Sequence, residues 1–212
     1  MSDDPAGAVD PLELVALIAT RLCHDMAGPV GAVSNGAELM GGDPAMVDAE
    51  ALELLSSSAA GAAVKLRTLR GAFGMAGAVE PGDLPRQLAA WAGPRCAIAL
   101  PERDRLAALG PERLRLLLNL CLVALDATVA PAALSVTLDE DGEGLRLATR
   151  AAGRGGRADP DLPAVMAGAS AGLGPRTVQA WLAGGMARRL GGRILFESEA
   201  SGSAVAAILP RD

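Results

Sequence analysis

The chain carries one histidine, His24, inside the stretch Thr20–Gly36, TRLCHDMAGPVGAVSNG. An aspartate, Asp25, follows it at once, and Pro29 stands five residues on. A neutral imidazole has a reference pKa of about 6.5 and is a nucleophile near neutral pH. It can take a phosphoryl group on a ring nitrogen and hand it on. Asp25 is placed to orient the ring or take its proton, or else is a solvated acid. Arg21, one turn earlier, is placed to meet phosphate charge, or else is an exposed helix cation.

The element holding these residues reads as a helix over Pro11–Met40, with Asp10 as N-cap and Pro11 at the first helical position. At about 100° per residue, Val15, Ile18, Leu22, Met26, Pro29, Val33 and Met40 share one direction. His24 lies opposite, with Arg21, Gly28, Gly31, Asn35, Glu38 and, as the apolar exception, Leu17. Each glycine costs a helix interior about 0.5–1 kcal/mol relative to Ala. Pro29 costs more, because it removes a backbone bond and crowds the preceding turn. Tolerating all three beside the imidazole points to a flat surface of small residues, which lets another protein approach the ring.

Composition narrows the function classes. The chain has 212 residues, half of them hydrophobic, so it can bury a core as one large domain or two small ones. Two Trp, two Phe and no Tyr leave that core to aliphatic side chains. A net charge of −6 and the lack of a basic stripe exclude direct nucleic-acid binding. Cys23, Cys96 and Cys121 are odd in number and far apart, which predicts reduced, buried thiols rather than a disulfide framework or zinc site. The acidic N-terminus is unlike a signal peptide, and LRLLLNLCLVALDA is too short and polar to span a bilayer. We therefore expect a cytoplasmic protein with no membrane partner.

Beyond the first helix, GGDP (Gly41–Pro44) reads as a helix stop and a new start. A second helix is expected over Ala45–Phe73, antiparallel to the first. The turn-rich Gly77–Pro85 closes the pair. A strand at Cys96–Leu100, an apolar helix at Pro111–Val129 and a hairpin over Leu134–Arg150 follow. Ala151–Pro163 reads as a loop that lacks the P-loop Lys-Ser/Thr, and DEDGEG as a hairpin turn without EF-hand spacing. A helix over Pro175–Gly192 and the strands RILFES and SAVAAILP complete the chain. Trp91 and Trp181 are expected in core or interdomain packing. The predicted fold is α+β: a helical hairpin over residues 1–78, then an α/β sandwich over 79–212.

HDMAGP resembles the H-box of sensor histidine kinases, where His, an acidic neighbour and a proline five residues after the His mark the phosphorylated helix. Gly172-Leu173-Gly174, then Gly191-Gly192-Arg193-Ile194, Glu-Ser, Gly-Ser and a final Leu-Pro are similar to the last third of a kinase ATP-binding domain. The departures carry as much information. The kinase N-box has two asparagines four residues apart, the second helping to hold magnesium. Here Asn119 is kept, but Val123 stands in the second place, and Val cannot ligate a hard cation. The kinase Asp-x-Gly-x-Gly motif reads adenine with its Asp. Here Ala151 stands in that place, with Gly153 and Gly155 kept.

A kinase-like body with an intact histidine and a broken nucleotide site resembles the ChpT-type histidine phosphotransferases. That resemblance implies a homodimer in which two hairpins form a four-helix bundle, each protomer carrying a degenerate ATPase-like domain. It implies phosphoryl transfer from the receiver-domain Asp of a hybrid histidine kinase to His24, and on to the Asp of a response regulator. No cofactor is implied on this chain, since Mg²⁺ belongs to the receiver. Arg21, Gly28, Gly31 and Leu17 become partner-contact residues, with packing of Leu17 on the second domain as the alternative. A working ATP-dependent histidine kinase and a non-catalytic interaction module remain the competing functions.

Overall fold

The computed structural model describes residues 9–41, 49–75, 77, 79–141, 144–156 and 159–210. Two long helices, α1 (Pro11–Gly41) and α2 (Ala49–Phe73), lie side by side at the N-terminus. Asp10 caps α1 as expected, its Oδ1 accepting the Leu12 amide at 3.0 Å. Pro29 sits inside α1 without ending it. The backbone bond it removes is the one that would run to the Asp25 carbonyl. Gly36 lets the helices approach closely: a Cβ there would lie 3.2 Å from Leu55 Cδ1. Most of the predicted GGDP turn falls outside the described residues.

The rest of the chain is α3 (Leu84–Ala92), β1 (Ala97–Ala99), α4 (Arg103–Ala108), α5 (Gly110–Asp126), β2 (Ala133–Asp141), β3 (Gly144–Ala152), α6 (Leu162–Ala167), α7 (Val178–Arg189), β4 (Arg193–Glu199) and β5 (Gly202–Leu209). The five strands form one mixed sheet in the order β1-β2-β3-β5-β4, in which only the β1–β2 pair is parallel. Alternation along β3 buries Leu145, Leu147, Thr149 and Ala151 and exposes Arg146 and Arg150. Helix α5 packs on this buried face. Leu114 and every residue from 116 to 125 are buried, so α5 is covered on all sides and is the centre of the core. Burying each such Leu contributes about 1.5–3 kcal/mol.

Helix α7 ends as its Gly-Gly predicts. Gly191 takes φ +74°, its amide donates to the Arg188 carbonyl at 2.9 Å, and the Gly192 amide donates to Ala187 at 2.8 Å. Those two bonds are the paired closure of a Schellman ending.

Three short helices depart from the sequence reading. α3 and α4 lie in segments without a helical expectation, and α6 begins at Leu162, inside the predicted Ala151–Pro163 loop. All are nine residues or fewer and are held by packing rather than propensity. The thiols are also only partly as expected. Cys96 and Cys121 are buried, and burial pushes both thiols up, but Cys23 is exposed beside His24. Among the described residues no helix is long and apolar enough to cross a membrane.

Candidate functional site

His24 stands on the open side of α1, its side chain 83% exposed. Gly28 and Gly31 follow on the same side, and a Cβ at either would meet nothing within 4 Å. The surface beyond the imidazole is open and small, as its spacing predicts. Leu17 is half-buried rather than fully displayed. Of the apolar stripe opposite His24, Ile18, Leu22, Met26, Pro29, Val33 and Met40 are half-buried, while Val15 is exposed.

The groups beside the imidazole form a chain of charges across the two halves of the molecule. Asp25 Oδ1 lies 3.3 Å from His24 Nδ1. An ionised carboxylate only accepts, so in the neutral ring this contact favours the tautomer with the proton on Nδ1 and the lone pair on Nε2. Arg21 Nε donates to the other oxygen, Asp25 Oδ2, at 2.6 Å. Its terminal nitrogen donates to Asp126 Oδ2 at the end of α5. Asp126 Oδ1 accepts from the Trp91 indole of α3 at 3.0 Å. The guanidinium lies 5.9 Å from the Trp91 ring centroid, and Lys65 of α2 lies 4.8 Å from it.

Arg21 is thus buried, not the exposed cation that was one of its two readings. Burial alone lowers a guanidinium pKa, but Asp126 and then Asp25 outweigh it and hold Arg21 above its usual value. Asp126 is not among the site residues that the sequence singles out. Nothing in its local pattern marks it, because its partners lie 35 and 105 positions away.

The kinase-like positions have taken structural work. Val123 and Ala151 are buried in the core. Asn119 turns toward the hairpin: its Nδ2 donates to the Ala72 carbonyl at 3.2 Å and to Arg115 at 2.9 Å. Arg115 Nε donates to that same Ala72 carbonyl, so the last turn of α2 is closed by side chains of α5. Thr177 fastens the Gly-Leu-Gly turn, accepting from the Gly174 amide at 2.8 Å and donating to Gly172 at 2.7 Å. Gly153 is kept for space, since a Cβ there would sit 2.6 Å from both Thr128 Cγ2 and the Val129 carbonyl. Gly153→Ala should therefore cost about 1–3 kcal/mol in urea unfolding, with no nucleotide needed to see it. An unchanged midpoint would show that the glycine is not required for packing.

The C-terminal domain of histidine phosphotransferases, as a family profile, matches residues 89–202. The protein phosphotransferase ChpT of Brucella abortus is 31% identical over 173 residues, 75% of this chain and 77% of that one. The chain belongs to the ChpT-type histidine phosphotransferase family. A solved bacterial phosphotransferase is similar to this chain, with 27% identity over 94% of this chain and 98% of that one and a TM-score of 0.73. A histidine kinase domain from Erythrobacter litoralis matches more distantly, at 14% identity over 85% of this chain and 95% of that one, TM-score 0.44. The family profile covers the second half, whereas the 94% overlap with the solved phosphotransferase takes in nearly the whole chain.

Proposed function

We propose that this phosphotransferase carries a phosphoryl group on His24 within a two-component phosphorelay. It accepts the group from the receiver-domain Asp of a hybrid histidine kinase and passes it to the Asp of a response regulator. The observation that carries this reading is the exposed imidazole with Nδ1 held by Asp25. The Nε2 lone pair attacks phosphorus of the aspartyl phosphate, the P–O bond to the donor breaks, and the donor carboxylate leaves with the electron pair. The imidazole then bears positive charge, which Asp25 offsets from the Nδ1 side. The second transfer runs the same exchange toward the acceptor.

Several features support the remaining parts. Leu12, Val15 and Val30 on α1 and Leu52, Leu54 and Leu66 on α2 are exposed large apolar side chains. A second hairpin covering them gives a four-helix bundle and a homodimer. We place the domain division between residues 78 and 79, so that α1 and α2 belong to the first domain and α3 to β5 to the second. With Val123 and Ala151 in the core, the chain needs neither ATP nor a cofactor of its own, and Mg²⁺ is supplied by the receiver. The site of action is the cytoplasm, with no membrane or nucleic-acid partner. The test is to incubate the chain with a phosphorylated receiver domain and record ³¹P spectra. Phosphohistidine at Nε2, with loss of aspartyl phosphate, is expected. A receiver that keeps its phosphoryl group across several donors would contradict the reading.

A further inference from the structure

Arg21 divides its guanidinium between two carboxylates on different parts of the molecule. Nε serves Asp25 Oδ2, and the terminal nitrogen serves Asp126 Oδ2. Asp25 therefore spends one oxygen on Arg21 and keeps the other, Oδ1, for His24. An Arg and an Asp four residues apart on a helix would otherwise close side-on, both nitrogens of the fork on both oxygens, which is the stronger pairing. That closure would draw Oδ1 away from the imidazole. We infer that Asp126 is a positioning residue for His24: by holding half of the Arg21 fork, it frees Asp25 Oδ1 to fix the Nδ1–H tautomer.

The surroundings make this a built arrangement. Arg21 is buried, and only a tenth of the Asp25 side chain is exposed. Asp126 is itself held by the Trp91 indole, which Lys65 faces across the ring. The α5 end that carries Asp126 belongs to the core helix of the second half, so the reactive nitrogen on α1 is set by a residue of the other half. The inference rests on His24 as phosphoacceptor for its consequence, but not for its geometry.

The sole histidine makes the readout unambiguous. The 212-residue chain labelled with ¹⁵N-histidine gives the tautomer ratio from two-bond ¹H–¹⁵N correlations at a pH where the ring is neutral. In the native chain the Nδ1–H form is expected to dominate. Asp126→Ala should shift the ratio toward Nε2–H and slow acceptance from a phosphorylated receiver by about tenfold, below the roughly 10²–10⁴-fold of a general acid or base itself because Asp25 is still present. Asp126→Glu should restore both. Asp126→Asn, which keeps the shape and an acceptor for Trp91, should move the ratio in the same direction if the alanine variant does not fold. A ratio unchanged in every folded variant overturns the inference, even if transfer slows, because slowing alone is what general loosening gives. The spectrum needs no donor, so failure of the native chain to take phosphoryl would strike the proposed function and leave this test standing.

Discussion

His24→Gln should abolish phosphoryl acceptance, a loss on the order of a thousandfold or more, while leaving the fold intact. An amide of similar polarity has no lone pair on nitrogen that can attack phosphorus. The imidazole is largely exposed and its polar partner among the described residues is Asp25, so little packing goes with it. The stability change should stay within about 0.5 kcal/mol, the range for surface substitutions. Transfer from a phosphorylated receiver, read beside urea unfolding, checks both halves. Retained transfer in a folded variant would mean that another side chain takes the group. Retained partner binding with no transfer is the expected pattern, since Gly28 and Gly31 are untouched.

Arg21→Met should produce the largest loss of stability among the site variants, about 3 kcal/mol. Removing one member of a buried ionic cluster costs about 3–5 kcal/mol, because the partner charge stays behind without compensation. The lower end applies here, since the Asp126 side chain is 36% exposed and water can screen it. Met preserves much of the apolar stem that packs near Trp91, so the change isolates the guanidinium. The urea midpoint gives the number. A shift below about 0.5 kcal/mol would show that the Arg21–Asp126 pair joining α1 to α5 adds nothing measurable to stability. Pairing Arg21→Met with Asp126→Ala in a double-mutant cycle should give strongly non-additive losses.

Much of the fold was legible because its signals are local and repeated. Asp10 and Pro11 mark the start of α1, and the two glycines after Leu190 mark the end of α7. Alternation in β2 and β3 gives the hairpin, and the unbroken apolar run of α5 gives the core helix. The short helices α3, α4 and α6 have too few turns for a period to show, and their existence depends on the core they cover. Cys23 misled for a related reason: small apolar side chains are usually buried, yet this one lies on an exposed face of α1.

The candidate site divides along the same line. His24, Asp25 and the two glycines announce themselves by adjacency and helical spacing. Asp126, Trp91 and Lys65 do not, because only the folded chain brings them to Arg21. Asn119 is the kept member of the kinase asparagine pair, and its amide proves to close the last turn of α2. The retained glycines match the kinase Asp-x-Gly-x-Gly motif, and Gly153 proves to be where a side chain would collide with Thr128 and Val129. Sequence showed which positions departed from the kinase pattern; packing shows what they do instead.

The central claim is that phosphoryl reaches His24 from another protein's aspartate and not from ATP. The most direct measurement runs two labelling reactions side by side, one with radiolabelled ATP alone and one with a radiolabelled, phosphorylated receiver domain. The account predicts acid-labile label from the receiver only, absent in His24→Ala. Label from ATP alone would contradict it, and would mean that a nucleotide site survives despite Val123 and Ala151.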